Sequence, residues 1–184
     1  MMKDRKFINP LEIKDKIDLP VIVLVDDLRG FISLIIKNHT DGNYSHCMWL
    51  FEEGNIATQS WIYRKLLLKR YMTKRNMLKF WRIRGLSERE RWDIIFKIAI
   101  DLKQPWYKRL YDVLGILGQF LKIRQIQSPF RKYCSERVAG DLRTISSLKD
   151  IIPKFPAPSD LNKLFNQNPD KFERLGYWIS NNED

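Results

Sequence analysis

Residues 21 to 26 read Val-Ile-Val-Leu-Val-Asp directly after Pro20, a β-branched apolar run of strand length, and this run commits the chain to building a sheet. The turn residues Asp27 to Gly30 follow, then Phe-Ile-Ser-Leu-Ile-Ile-Lys-Asn (31–38), whose apolar positions suit a short buried helix. After the polar turn around His39 to Asn43, Tyr44 to Phe51 and Ile56 to Tyr63 flank Glu-Glu-Gly-Asn, which predicts a β-hairpin. Leu78 to Ile83 predicts another strand.

Helical signals dominate the second half. Ser87 with Glu90 three residues on is a capping-box pattern, and Trp92, Ile95, Ile98, Ala99 and Leu102 recur at helical spacing, so a helix is predicted from Glu88 to Gln104, stopped by Pro105. A second apolar stretch from Arg109 to Leu121 carries Gly115 and Gly118, the residue type that lets another backbone approach closely. A loop containing Pro129 then delivers Cys134 to the start of a helix. The tail contains Pro-Ser-Asp-Leu and Asn-Pro-Asp-Lys, each with a capping residue ahead of an acidic first turn, and predicts two short surface helices. With 184 residues and 44% hydrophobic content the chain supports one core. The expected fold class is therefore α+β, a single domain over 1–184 with its core at 19–161 and a helical tail at 162–184.

The charge is concentrated. Residues 61–109 hold 15 Lys/Arg against 4 Asp/Glu, which equals the whole net charge of +11. Within them, residues 61–84 carry nine basic side chains and no acidic one, interleaved with aromatic residues. Such a segment is either a solvated face or a contact surface for a polyanion such as nucleic acid or anionic cell wall. No apolar run is long enough to span a membrane, and the charged start Met-Met-Lys-Asp-Arg-Lys is unlike a secretory signal. The expectation is synthesis in the cytosol, with Cys47 and Cys134 as free thiols.

Those two cysteines and two histidines, His39 and His46, bound the nucleophilic chemistry. His46 and Cys47 are neighbours on a predicted strand and point to opposite faces, so Cys47 reads as a core thiol. His39 reads as an exposed turn residue. Cys134, at a helix N-terminus, is placed where backbone N–H groups and the helix dipole favour a thiolate; the alternative is a small buried core residue. Gln59 is the candidate third member. With an even-numbered hairpin loop it shares a face with His46, where its amide could orient the imidazole; an odd-numbered loop would separate them. A zinc site would need closer Cys or His pairs than the sequence contains, so neither metal nor cofactor is expected.

Taken together, Tyr-Ser-His-Cys-Met-Trp-Leu (44–50), Ala-Thr-Gln-Ser-Trp (57–61) and Lys-Tyr-Cys-Ser-Glu-Arg-Val-Ala-Gly-Asp-Leu (132–142) resemble, in that order, the circularly permuted papain-like amidases. These are the NlpC-type enzymes related to lecithin retinol acyltransferase. The histidine precedes the cysteine by 88 positions, as the permutation requires. Tyr111 heads a stretch similar to a Tyr-Asp helix of that family, and Pro158 to Leu161 resembles its tail. The resemblance implies an antiparallel sheet or small barrel packed against helices. It implies a cysteine amidase, peptidase or acyl hydrolase with Cys134 as nucleophile, His46 as base and Gln59 as orienting residue, and Tyr133 and Tyr111 as substrate contacts. Gln59 stands where many relatives have a carboxylate, and the alternative to the enzyme is a catalytically weak or inactive binding or virion-structural module using the basic aromatic surface. Relatives in bacteria and bacteriophages make peptidoglycan peptides the implied substrate class.

Overall fold

A computed structural model describes residues 6–13, 19–28, 34, 37–38, 42–110 and 133–180. The helices expected at 31–38 and 109–121, together with His39 and Tyr111, fall wholly or largely outside the described residues. Six strands form one open antiparallel sheet: β1 (Val21–Asp27), β2 (His46–Glu52), β3 (Asn55–Gln59), β4 (Tyr63–Leu67), β5 (Asn76–Ile83) and β6 (Phe172–Ile179). Their order across the sheet is β4-β3-β2-β1-β5-β6. Three α-helices accompany it among the described residues: α1 (Glu88–Lys103), α2 (Cys134–Leu142) and α3 (Pro158–Gln167). The molecule is thus α+β.

The apolar run of β1 lies at the centre of the sheet, and period-two alternation divides it between two cores. Ile22 and Leu24 join Cys47, Trp49, Trp81 and the buried residues of α1, α2 and α3 on one face. Val21, Val23 and Val25 join Met48, Leu50, Ile56, Leu78 and Phe80 on the other, which Ile8, Ile13, Tyr71, Met72, Leu175 and Trp178 cover.

α1 begins as its capping box dictates. Ser87 Oγ accepts from Glu90 N at 3.2 Å, and Glu90 Oε2 accepts from Ser87 N at 2.9 Å. α3 also forms where expected, although Asp160 caps it by accepting from Ala157 N at 2.9 Å, and Pro158, Ser159, Leu161 and Phe165 are buried rather than on the surface.

The helical reading of the tail is corrected at residues 172–179, which form β6. Phe172 and Tyr177 are buried, Arg82 of β5 pairs with Glu173 at 2.7 Å, and the strand satisfies the otherwise open edge of β5. The Asn-Pro-Asp start signal is local, and pairing with a waiting strand outweighs it.

Candidate active site

The hairpin decides the site. Glu52 pairs with Asn55 across a two-residue Glu53-Gly54 turn, with Gly54 at φ 64°, a conformation that favours glycine. That is the even-numbered loop expected from the sequence. One residue further on, however, the pairing becomes Leu50 with Ile56, Trp49 with Ala57 and Met48 with Thr58, so Phe51 is an extra residue in a β-bulge. A one-residue slip exchanges the faces of every following side chain. Thr58, not Gln59, therefore shares the His46 side of the sheet.

His46 Nε2 lies 2.7 Å from Thr58 Oγ1, and Thr58 Oγ1 lies 3.0 Å from the Tyr71 hydroxyl. The Tyr71 ring stacks on the imidazole with centroids 5.8 Å apart and planes inclined by 9°. The imidazole is thus held by a hydroxyl at one ring nitrogen and by an aromatic face across its plane. Neither partner was legible in the sequence as a site residue. Thr58 was hidden by the bulge, and Tyr71 belongs to the loop after β4 that had no predicted structure.

Gln59 as orienting residue of His46 is corrected. It faces the helices, where its Oε1 accepts from Arg137 Nε at 3.1 Å and its Nε2 donates to the Arg109 carbonyl at 2.9 Å. Its role is to satisfy a buried guanidinium. Replacing Gln59 with Ala removes a partner from each, and is expected to lower stability by about 1–3 kcal/mol in chemical denaturation. The pH dependence of Cys134 alkylation should stay that of the parent protein.

Cys134 opens α2 as expected, with Tyr133 at the N-cap and no side chain capping the first turn. Cys134 is 4% exposed and lies in the same core cluster as Cys47, which is 1% exposed. The Cys47 thiol donates a hydrogen bond to the Cys134 sulfur, and this holds Cys134 well below the ordinary thiol range against the opposing effect of burial. The charge and hydrogen bond of His46 and the Cys47 backbone N–H act in the same direction. Burial, reinforced by the neighbouring Cys134, pushes the Cys47 thiol well up. Cys47 is therefore the buried thiol the sequence suggested, and in addition a hydrogen-bond donor to the nucleophile candidate. Strand alternation turns His46 toward Thr58 and Tyr71 and Cys47 toward the helices, and His46 acts on the Cys134 sulfur from the first position of β2.

Tyr133, the implied substrate contact, lies next to Cys134. It is buried at the N-cap, and burial pushes its phenol up. Tyr111 lies outside the described residues.

Behind the cysteines, a buried polar network joins α1, α2 and the sheet. Asp141 accepts from Trp49 Nε1 at 2.9 Å and from Lys97 Nζ at 2.5 Å. Asp101 accepts from Arg137 Nη1 at 2.9 Å, and the Arg137 guanidinium lies 4.1 Å from the Tyr63 ring centroid. This network fixes α2, and with it Cys134, against β2 and β3.

The basic segment is less uniform than its composition. Arg64, Lys69, Arg70, Lys74 and Arg75 are exposed, and Lys65 pairs with Glu52. Lys79 is buried among the Tyr44, Trp81 and Tyr177 rings and donates to Asn162 at 2.7 Å, while Arg82 and Arg84 approach Glu173. Among the described residues no three His, Cys, Asp or Glu side chains converge as a metal site requires, and no helix is long and apolar enough to cross a membrane. No known family model and no curated protein matches the sequence.

Proposed function

We propose that the chain is a cysteine-dependent amidase, peptidase or acyl hydrolase of the permuted papain-like kind, in which Thr58 takes the place first given to Gln59. The single observation that carries this reading is the convergence on Cys134 of a helix N-terminus, His46 and the Cys47 thiol, all of which favour the thiolate. The hydroxyl at His46 Nε2 leaves Nδ1 as the ring nitrogen for the thiol.

In this mechanism the Cys134 thiolate attacks a carbonyl carbon, forming a C–S bond, and the oxyanion accepts from the Cys134 backbone N–H. Collapse breaks the carbon–nitrogen bond of an amide, the carbon–oxygen bond of an ester or the carbon–sulfur bond of a thioester as protonated His46 gives its proton to the leaving group. Neutral His46 then takes a proton from water, whose oxygen attacks the thioester; the carboxylic acid leaves and Cys134 is regenerated. A peptidoglycan peptide amide is the first substrate class to try, and an ester or thioester the second.

The test is acylation by an activated ester or thioester, read by intact mass and peptide mapping. The expected product is a single acyl group on Cys134, absent from Cys134→Ala. Thr58→Val is expected to slow acylation roughly tenfold, the equivalent of one lost orienting hydrogen bond. An adduct that survives Cys134→Ala, or no adduct with any activated acyl donor, would overturn the reading.

A second reading, a non-catalytic binding module, is favoured by the exposed Arg64, Lys69, Arg70, Lys74 and Arg75 on and after the edge strand β4. In that case the chain would hold a polyanion through charge, with an affinity that falls steeply as salt rises.

A further inference from the structure

Two hydrogen bonds between the sheet and α2 bracket the two cysteines. Cys134 and Asp141 stand seven residues apart in α2, which brings them to within about 20° of each other around the helix. Cys47 and Trp49 stand two apart in β2 and share its helix-facing side. The bond from Trp49 Nε1 to Asp141, 2.9 Å, lays this side of the strand along that face of the helix. A second bond fixes the direction. Continuing the Met48–Thr58 pairing by one position sets Gln59 opposite Cys47, and Gln59 accepts from Arg137 Nε at 3.1 Å, one turn into the helix from Cys134. Passing from Trp49 back to Cys47 therefore runs along α2 from Asp141 toward Cys134.

The alignment ends at the two sulfurs. Both residues are buried in one apolar cluster, and the thiol and backbone N–H of Cys47 are both directed at the Cys134 sulfur. They are the only cysteines in the chain, and both are free thiols.

We propose that Cys47 is the resolving partner of Cys134, so that a peroxide converts the pair into a reversible intramolecular disulfide. The Cys134 thiolate attacks one peroxide oxygen; an S–O bond forms as the O–O bond breaks, leaving a sulfenic acid and a hydroxide that takes up a proton to become water. The Cys47 sulfur then attacks the Cys134 sulfur. The S–S bond forms, the S–O bond breaks, and the hydroxide leaves as water with the Cys47 proton. Two electrons pass from the sulfurs to the peroxide, and two waters are made. Turning the thiolate into a neutral sulfenic acid also removes the charge that opposes ionisation of Cys47, so the first oxidation prepares the second thiol. The sulfurs must close to about 2.05 Å, a movement that falls on the first residue of α2, whose turn no side chain caps. Burial of both sulfurs restricts the oxidant to a small molecule. Formation of the bond does not depend on the function proposed above; only the loss of acyl transfer that it causes rests on that reading.

The test exposes the whole reduced chain to a few equivalents of hydrogen peroxide and follows intact mass, free thiols after denaturation and a non-reducing peptide map. The expected product is a monomer about 2 Da lighter than the parent, with no free thiol, a linked Cys47–Cys134 peptide and recovery of both thiols by dithiothreitol. Cys47→Ala should instead stop at a Cys134 sulfenic acid, which dimedone traps and excess peroxide carries on to sulfinic acid. In Cys134→Ala the Cys47 thiol should survive the same exposure. Oxidation of the parent chain to a Cys134 sulfinic acid with Cys47 still free overturns the inference. So does a disulfide that joins two chains, and so does an unchanged thiol content. These readouts on the parent chain decide the matter whether or not either variant folds. Acylation of Cys134 by an activated ester should disappear in the oxidised chain and return on reduction. A reduced chain that takes no acyl group yet forms the disulfide defeats the proposed function and upholds the disulfide; a chain that is acylated yet forms no disulfide does the reverse.

Discussion

Alkylation of Cys134 by iodoacetamide is expected to fall distinctly less between about pH 7.5 and about pH 5.5 than that of an ordinary thiol of pKa about 8.5, which slows roughly a hundredfold over that range. The sign follows from the neighbours. A thiol held below its usual range by the Cys47 hydrogen bond and by His46 keeps more of its reactive form as the pH falls than an ordinary thiol does. The absolute rate is a weaker discriminator, because a thiolate of lower basicity is also a poorer nucleophile. Cys47, whose thiol burial pushes up, should stay unmodified throughout. His46→Ala should steepen the profile by removing both a charge and a hydrogen bond from the sulfur, while the Cys47 hydrogen bond remains. Peptide mapping across the pH series separates the two cysteines. A steep profile in the parent protein, or earlier modification of Cys47, would remove the basis for nucleophilic catalysis.

Asp141→Ala is expected to destabilise the fold by about 3 kcal/mol, within the range for breaking a buried ion pair. Asp141 is buried at the far end of α2 from Cys134, and it is the acceptor for both Trp49 Nε1 and Lys97. Truncation leaves the indole N–H of a fully buried tryptophan without its acceptor and deprives Lys97 of its closest carboxylate, although Lys97 keeps Asp101 at 3.3 Å. Asp141→Asn should cost less, since the amide oxygen still accepts from the indole. Burial pushes the Asp141 carboxyl up and Lys97 pulls it down, so the charge is held at a cost, and its removal with retention of the hydrogen bond is correspondingly milder. Equilibrium denaturation of the two variants measures the difference. Equal losses for Ala and Asn would mean that the charge, and not the indole bond, is the stabilising element.

Much of the fold was legible because its signals are local. The Val-Ile-Val-Leu-Val run could only be a buried strand, the Ser87–Glu90 box fixed the start of α1, and Cys134 opened a helix where the loop signals ended. What was not legible depends on partners far along the chain. β6 carries a helix-start signature, and becomes a strand because β5 offers an edge. The face on which Gln59 lies turned on Phe51, an inserted residue with no mark in its own side chain; the turn at Gly54 was read correctly and the register beyond it was not. His46 and Cys134 were found through residue type and placement. Thr58 and Tyr71 were missed because a hydroxyl beside an imidazole leaves no pattern until the pairing is known.

The β5–β6 pairing also sets the order in which the molecule can be completed during synthesis. Partners lie 89 residues apart at Ile83 and Phe172 and 102 apart at Met77 and Ile179. Until the ribosome has released residues 172–179, the growing chain displays one flank of β5 with its row of backbone donors and acceptors open, the state most prone to pairing with another chain. Long-range closure of this kind is slow compared with forming α1 or the β2–β3 hairpin. A messenger truncated just before Phe172 would therefore encode every residue of the Cys134–His46–Thr58 cluster and still yield a sheet with an adhesive border.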